Sequence, residues 1–238
     1  MSTNSLEKLL EENNYPGRGI IIGKTNNKAV IAYFIMGRSE NSRNRVFLEK
    51  AGGIETKAFD ESKLTDPSLI IYNPVRVTPE GTLIVTNGDQ TDTIYDYLAA
   101  GDTFENALRT RTFEPDAPNY TPRISGVVNI KDKDLTYKLS ILKTANNAGE
   151  TVERFFYEYS KVKENTGHLI HTYKRDGNPI ISFSSDPKAI SITEDISSFT
   201  NKIWSALNPE NKVSLFTRYI DLTTGEVETQ IINKNEAN

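Results

Sequence analysis

The sequence has no cysteine, only two histidines and little net charge. The lack of cysteine excludes disulfides, thiolate zinc sites and thiol nucleophiles, and it fits a reducing compartment. No stretch approaches the roughly 20 apolar residues that span a bilayer, and the N-terminus lacks the basic and apolar regions of a signal peptide. A net charge of -4 gives no overall field to attract nucleic acid or an anionic membrane. We therefore expect a cytoplasmic protein without a nucleic-acid or membrane partner, in which any anion is bound locally.

Two further absences narrow the chemistry. His168 and His171 stand at an odd separation on a predicted strand, so they point to opposite faces and form no joint metal site. The chain has neither a GxxxxGK(S/T) loop nor a strand-linked GxGxxG segment, which disfavours P-loop NTPases and dinucleotide-binding folds. We therefore predict no metal site and a different way of holding a ligand.

Strand-like segments dominate the chain. The pattern is clearest from Leu135 to Ile141, where apolar and polar residues alternate as in a half-buried strand. Because strands come in runs with helices inserted, and not in βαβ alternation, we predict an α+β fold with two antiparallel sheets in a single domain over residues 1–238. The predicted helices lie at 5–13, 91–100, 102–111 and 196–207, and the predicted strands at 17–24, 29–36, 45–48, 68–72, 82–86, 124–131, 135–143, 154–162, 168–174, 179–183, 212–221 and 226–233.

Arginine is concentrated in the first half of the chain. Residues 1–123 hold 8 of the 11 arginines, whereas residues 124–238 hold 11 of the 17 lysines. A guanidinium group presents a planar fork of donors that matches a phosphate or carboxylate, so the split indicates an anion site built from the first half. An uneven distribution by chance is the alternative.

The densest group of arginines follows a predicted strand. Segment 37–45 reads GRSENSRNR and contains Arg38, Arg43 and Arg45 together with Asn44. A loop at the end of a strand can gather such donors around a phosphate, since binding residues concentrate on loops held by a scaffold. The alternative is a solvated turn whose Asn and Ser side chains bond only to the local backbone.

Two other strand ends carry polar groups that can read amides or ring nitrogens. Tyr72 and Asn73 end one predicted strand, and Asn87 follows another in an Asn-Gly step. A helix is predicted directly after this step, so its backbone amides can face an anion. A tight turn is the alternative interpretation.

A proline-rich loop carries the candidate proton carriers. Segment 113–126 contains three prolines, which stiffen a connection that holds Glu114, Asp116, Thr121 and Arg123. A carboxylate in an arginine-rich cleft can act as a base, because nearby positive charge lowers its pKa. An ordinary crossing loop is the alternative.

Five motifs follow one another in this part of the chain: YPGRGIIIG at 15–23, GRSENSRNR at 37–45, IYNP at 71–74, VTNGDQTD at 85–92 and EPDAPNYTPRISG at 114–126. In this order they resemble the archaeal-type IMP cyclohydrolase family. The resemblance implies a four-layered αββα fold similar to that of the Ntn hydrolases. It also implies closure of 5-formamidoimidazole-4-carboxamide ribonucleotide to IMP with loss of water, with a purine ribonucleotide as substrate and no cofactor. Residues after 126 match only as a strand-rich completion of the domain.

In this reaction the carboxamide nitrogen attacks the formyl carbon, and the carbinolamine so formed loses its oxygen as water. We hypothesise that four arginines and two assisting side chains bind the 5′-phosphate: Arg38, Arg43, Arg45 and Arg123, with Asn44 and Thr121. The carboxamide and formyl groups would be oriented by Tyr72, Asn73 and Asn87, and the proton would be carried by Glu114 or Asp116.

Two other functions stay open at this point. One is an Ntn-type amidohydrolase with Ser2 as nucleophile after loss of Met1, although a predicted helix precedes the first strand. The other is a non-catalytic purine-nucleotide-binding protein that keeps the pocket without turnover. The sequence also leaves the oligomeric state open, a homo-oligomer included.

Overall fold

The strands of the protein form two large antiparallel sheets and one two-stranded ribbon. The structure, a computed structural model, describes residues 5–132, 134–146 and 148–235. In chain order its strands are β1 (Arg18–Lys24), β2 (Lys28–Met36), β3 (Arg45–Lys50), β4 (Gly53–Ala58), β5 (Val75–Val77), β6 (Thr82–Thr86), β7 (Arg123–Asn129), β8 (Tyr137–Thr144), β9 (Val152–Tyr159), β10 (Thr166–His171), β11 (Tyr173–Arg175), β12 (Ile181–Ser182), β13 (Lys188–Ser191), β14 (Lys212–Asp221) and β15 (Val227–Asn233).

The two sheets differ in how the chain builds them. The first has the strand order β13-β10-β1-β2-β14-β15, so segments far apart in sequence become neighbours. At its centre Gly19 of β1 pairs with Phe34 of β2, and a β-carbon on Gly19 would lie 2.1 Å from the Phe34 ring. Only glycine allows so close an approach. The second sheet is a meander in which β3 to β9 pair in chain order.

Four of the five helices in the described residues cover the outer faces of the sheets. The five are α1 (Leu6–Glu11), α2 (Glu40–Arg43), α3 (Gln90–Ala99), α4 (Phe104–Arg109) and α5 (Ile196–Ala206), with a 3-10 turn at Glu61–Lys63, and the exception is α2. Leu10 of α1 and Phe199 of α5 pack in one cluster with Phe34 of the first sheet. Ile94 of α3 and Leu108 of α4 pack with Ile84 of the second sheet. The order of layers is therefore helix, sheet, sheet, helix.

Apolar side chains fill the space between the sheets. Ile20 and Tyr33 from the first sheet meet Val85 and Ile141 from the second in one buried cluster. Each side chain of this kind stabilises the fold by roughly 1.5–3 kcal/mol when it leaves water. Because both faces of β2 are covered, its sequence KAVIAYFIM is a nearly continuous apolar run and does not alternate.

The structure confirms the predicted α+β class with two packed, mainly antiparallel sheets. Both predicted hairpins form. Thr25 N donates to Lys28 O in the β1–β2 turn, and Gly225 takes a left-handed φ of 75° between β14 and β15. The alternation read in β8 is also correct, since the intersheet cluster contains Leu135, Tyr137, Leu139 and Ile141.

The predicted strand at 68–72 is wrong. The N–H groups of Ile70 and Ile71 both donate to Pro67 O, which closes a turn. The segment is apolar because Ile70 and Tyr72 are buried, not because it pairs in a sheet. Strands β4, β5 and β13 were not predicted, because they are short or rich in polar residues.

Helix positions were predicted more accurately than their ends. The four predicted helices form as α1, α3, α4 and α5; α3 begins and ends one residue earlier than predicted, the other three are shorter than predicted, and α2 was not predicted. Within the described ranges, no helix is long and apolar enough to cross a membrane. Ser2, the nucleophile of the amidohydrolase alternative, lies outside the described residues.

Candidate active site

A carboxyl group lies at the centre of a buried polar cluster. Glu114 belongs to the loop between α4 and β7, and only 2% of its surface is exposed. Its Oε2 atom lies 4.0 Å from Nη2 of Arg18, the first residue of β1. Arg45 begins β3 and Arg123 begins β7, and their charges act on the same carboxyl group. The starts of three strands from both sheets therefore place three guanidinium groups around one carboxyl group.

Glu114 titrates near neutral pH. Burial raises the pKa of its carboxyl group to about 7, and the charges of Arg18, Arg123 and Arg45 oppose that rise without cancelling it. The opposition is incomplete because burial is the largest effect and the charge of Asp116 adds to the rise. A carboxyl group with this pKa can both take and release a proton under physiological conditions.

Arg45 is a buried cation with unused donors. Its side chain is fully buried, and its Nε atom donates to Ser42 O at 2.9 Å. Neither Nη atom of Arg45 has a hydrogen-bond partner among the described residues, and the same holds for Nε of Arg18. A buried donor without a partner costs about 1–3 kcal/mol, and more when it is charged. Such a cost is typical of a site where a ligand supplies the acceptors.

Two tyrosines lie beside these arginines. The hydroxyl groups of Tyr33 and Tyr72 are 2.7 Å apart in the protein interior. Tyr72 is held by its own N–H, which donates to Thr56 Oγ1 of β4 at 2.9 Å. Burial raises the pKa of Tyr72, and the charges of Arg45 and Arg18 oppose the rise. Its hydroxyl group therefore stays protonated near neutral pH and can donate a hydrogen bond.

Asn87 and Arg123, both predicted site residues, belong to the same cluster. Asn87 Nδ2 donates to Glu114 Oε1 at 3.3 Å and to Pro122 O at 2.9 Å. Arg123 Nη1 lies 2.6 Å from Gln90 Oε1 and 2.7 Å from Asp89 Oδ1. Arg123 therefore forms an ion pair with an acidic residue at the start of α3, and its charge still acts on Glu114.

Asp116 and Thr121 brace the loop that carries Glu114. Asp116 Oδ1 accepts from Thr121 N at 2.7 Å, and its Oδ2 accepts from the Thr121 hydroxyl group. The same hydroxyl group contacts the hydroxyl group of Tyr173, whose ring stacks on Tyr15. These bonds tie the loop to β11 of the two-stranded ribbon. Glu114, not Asp116, faces the arginines.

The structure places Arg38 and Arg43 nearer to solvent. Arg38 Nη1 bonds to Asp176 Oδ1 at 2.8 Å, and its guanidinium group lies over the Tyr15 ring. Arg43, an exposed residue, donates to Gly37 O at 2.9 Å and to Asn211 Oδ1 at 3.0 Å. No described hydrogen bond or ion pair joins either arginine to Glu114.

Asn44 and Asn73 also lie apart from the carboxyl group. The Asn44 side chain donates to Asp60 O at 2.7 Å and accepts from Asp60 N at 2.8 Å, so it fixes the local backbone. Asn73 lines a separate surface cavity of about 340 Å³ together with Arg76 and Asp92. Neither contact reaches the cluster around Glu114.

Sequence reasoning missed three members of the cluster, namely Arg18, Tyr33 and Gln90. A signal existed for Arg18, because it is the one charged residue between the glycines of an apolar segment, GRGIIIG. Tyr33 and Gln90 gave no such signal. A tyrosine inside an apolar strand and a glutamine at a helix start are both ordinary, and only the packing of the two sheets shows their partners.

The two histidines lie on opposite sides of the first sheet. His168 Nδ1 is 2.6 Å from the Tyr137 hydroxyl group, in the space between the sheets. His171 Nδ1 is 2.9 Å from Tyr173 O, and the side chain lines an outer cavity with Leu9 of α1. Among the described residues, no group of three His, Cys, Asp or Glu side chains could hold a metal ion.

Fold and site together define a class: an α+β protein whose two antiparallel sheets enclose one carboxyl group among guanidinium groups. The family model described as "IMP cyclohydrolase-like protein" matches residues 15–226. The chain therefore belongs to the IMP cyclohydrolase-like protein family.

Three archaeal proteins named IMP cyclohydrolase are similar to the chain. The protein of Methanocella arvoryzae is 35% identical over 120 residues, which cover 48% of this chain and 58% of the relative. The Haloarcula marismortui protein is 32% identical over 126 residues, which cover 51% of this chain and 58% of the relative. The Methanopyrus kandleri protein is 29% identical over 163 residues, which cover 67% of this chain and 75% of the relative. The chain thus spans less than two thirds of the length of the first two relatives.

Proposed function

We propose that the protein is an IMP cyclohydrolase, which closes 5-formamidoimidazole-4-carboxamide ribonucleotide to IMP and releases water. Family membership and the names of the three relatives support the reaction. The observation that carries the proposal is the buried Glu114 carboxyl group, with a pKa of about 7, beside the Nη donors of Arg45 and the Nε donor of Arg18, which have no partner in the described part of the chain. Ring closure needs these two elements, a proton carrier and donors for a developing negative charge.

Glu114 moves the protons in this proposal. Its carboxylate takes one proton from the carboxamide nitrogen as that nitrogen bonds to the formyl carbon. The acid so formed gives this proton to the formyl oxygen, which completes the carbinolamine. The hydroxyl group then leaves as water with the proton of the formamido nitrogen, so no proton is consumed overall. A carrier that reverses its role in this way works best when its pKa lies near the working pH.

Arg45, Arg18 and Tyr72 stabilise the charge that develops on the formyl oxygen. The free Nη donors of Arg45 and the Nε donor of Arg18 are fixed before the substrate arrives. Donors that need no rearrangement in a dry site lower the barrier more than the same donors in water. This role for Arg45 differs from the phosphate contact that its position in segment 37–45 suggested.

Arg38 and Arg43 are better placed for the 5′-phosphate, because a phosphate dianion keeps part of its hydration at the surface. Asn44 supports this role by fixing the loop between them and β3. Thr121 and Asp116 hold the catalytic loop, Asn87 orients Glu114, and Arg123 adds positive charge. Asn73 would contact the substrate only after a rearrangement of its segment.

The cluster is closed to solvent, since Glu114 is 2% exposed and Arg45 is fully buried. Substrate entry therefore requires the loop that carries Glu114 to move.

We also propose that the chain has an Ntn-hydrolase-like fold in a single domain, because its layers follow the succession helix, sheet, sheet, helix. A cytoplasmic location is proposed from the substrate class alone.

The test is an absorbance assay of ring closure with purified protein and the formamido ribonucleotide. We expect turnover, a loss of at least about 100-fold in kcat for Glu114→Gln, and a much smaller loss for Asp116→Asn. Calorimetry with IMP separates the alternatives. Binding without turnover would identify a non-catalytic nucleotide-binding protein, and equal losses in the two variants would remove Glu114 from its role.

A further inference from the structure

The Asn87 side-chain amide has all of its hydrogen-bonding positions filled. Its Nδ2 group donates to Glu114 Oε1 at 3.3 Å and to Pro122 O at 2.9 Å. Its Oδ1 atom accepts from Ile124 N at 2.8 Å and from Gln90 Nε2 at 3.0 Å. Asn87 is fully buried, so water does not compete for these bonds. The orientation of one amide therefore decides whether a donor or an acceptor faces Glu114.

Gln90 supplies the one side-chain contact among the three that set this orientation, since Pro122 O and Ile124 N belong to the backbone. Its Nε2 group donates to Asn87 Oδ1 and to Ile124 O, at 3.0 and 3.2 Å. Its Oε1 atom accepts from Arg123 Nη1 at 2.6 Å. A guanidinium group can only donate, so Arg123 forces the oxygen of Gln90 outward and its nitrogen toward Asn87.

Arg123 is itself fixed from the surface. Asp89 Oδ1 lies 2.7 Å from Arg123 Nη1, and Asp89 Oδ2 contacts Nη2 of Arg111. Burial of Asp89 acts to raise its pKa, but these two arginines lower it below the ordinary value, so Asp89 is ionised near neutral pH. These fixed charges decide which end of the Gln90 amide faces Arg123.

We propose that Gln90 is a positioning residue, which holds the Asn87 amide with its N–H group toward Glu114. Gln90 touches neither Glu114 nor any reacting atom in this proposal. It acts through Asn87. The contacts run from Asp89 to Arg123, then to Gln90, Asn87 and Glu114. The catalytic meaning of this relay rests on the proposed ring closure, whereas its effect on Glu114 does not.

The relay has a measurable consequence for proton transfer. A hydrogen bond donated to a carboxylate favours its ionised form and lowers its pKa. Loss of Gln90 removes one of the two donors to Asn87 Oδ1, so only the backbone contacts with Pro122 O and Ile124 N still hold the amide, and its N–H group faces Glu114 for a smaller fraction of the time. The expected result is a rise in the pKa of Glu114 by about half a unit or more, since bonds to charged groups are the stronger ones.

The experiment is a carbon-13 NMR titration of glutamate carboxyl groups in the full chain. The Glu114 signal is assigned by its loss in Glu114→Gln. Gln90→Met keeps the length of the side chain and removes both amide contacts, and we expect it to raise the pKa of Glu114. Thr91→Val is the matched control, because Thr91 bonds to Thr86 and Gly88 in the same turn without contacting Asn87. It should leave the pKa of Glu114 unchanged.

A double-mutant comparison shows whether Gln90 acts through Asn87. In an Asn87→Leu background, Gln90→Met should add no further change to the pKa of Glu114. An additive shift, no shift in Gln90→Met alone, or an equal shift in Thr91→Val would overturn the proposal. Should Gln90→Met fail to fold, the wild-type protein provides the test. The Asn87 side-chain N–H signals should titrate together with Glu114, and their failure to do so would also overturn it.

Kinetics separate this proposal from the proposed function. In Gln90→Met we expect a loss of about tenfold in kcat with little change in KM, and a pH profile displaced upward by the same shift as the NMR titration. If wild-type protein shows no ring closure but Gln90→Met still shifts Glu114, the proposed reaction is wrong and the positioning role stands. If ring closure occurs and the shift is absent, the positioning role is wrong.

Discussion

The hydroxyl group of Tyr33, in the first sheet, lies 2.7 Å from that of Tyr72, in the segment that leads into the second sheet. Tyr33 belongs to β2 at the centre of the first sheet, whereas Tyr72 precedes β5 in the second. This bond joins β2 to the segment before β5, where the charges of Arg18 and Arg45 act on both hydroxyl groups. Both hydroxyl groups contribute to stability through this bond, but only the Tyr72 hydroxyl group is proposed to contact the substrate.

The two tyrosines therefore provide a matched pair of variants. Tyr33→Phe and Tyr72→Phe remove the same hydrogen bond, so each should lower the free energy of unfolding by about 1 kcal/mol. Tyr72→Phe should lower kcat by at least about tenfold, and Tyr33→Phe by much less. Urea unfolding and the ring-closure assay measure the two effects. Equal kinetic losses would show that Tyr72 has no special part in the chemistry.

Glu114 should make stability depend on pH in a defined direction. Its pKa is about 7 in the folded protein, above the ordinary value of 4.5. The folded state then binds the proton more tightly, so this contribution is complete below pH 4.5 and is lost as the pH rises through 7. Relative to Glu114→Gln, the wild-type protein should lose on the order of 3 kcal/mol between these values. Urea titrations of both proteins across this range would disprove the shift if their curves stayed parallel.

Arg45 should be costly for stability and necessary for activity. Burial lowers its pKa, and both Nη donors lack partners within the described part of the chain, so Arg45→Met should keep or raise the melting temperature. The free energy of unfolding should rise by on the order of 1 kcal/mol, and ring closure should be lost. Arg218→Met is the control, because Arg218 is also buried but bonds to Gly52 O and Thr229 Oγ1. A larger loss of stability in Arg45→Met than in Arg218→Met would contradict this account.

The exposed arginines should affect binding more than turnover. Arg38→Ala and Arg43→Ala should each raise KM by about tenfold, as expected for one lost charged contact, and leave kcat within about threefold. Arg109→Ala is a suitable control, since Arg109 is an exposed arginine that bonds only to Asn106 on its own helix in the described structure. Steady-state kinetics distinguish the cases, and a fall in kcat with constant KM would move these arginines to the reacting centre.

The sequence by itself determined the strand-rich α+β class, both hairpins and the positions of four helices, because these depend on local periodicity and turn residues. It also indicated an anion site in the first half of the chain and placed Glu114 in a stiff loop. It predicted a strand at 68–72 wrongly, because an apolar turn packed inward has the same composition as a short strand.

Only the tertiary structure decided which polar groups meet. Arg18, Arg45 and Arg123 lie far apart in sequence, and they surround Glu114 because three strand starts from two sheets converge there. Arg38 and Arg43, close neighbours of Arg45 in sequence, point elsewhere. Burial raises the pKa of Glu114 and leaves both Nη donors of Arg45 without partners among the described residues. It is a property of the packed sheets, and no local pattern of residues contains it.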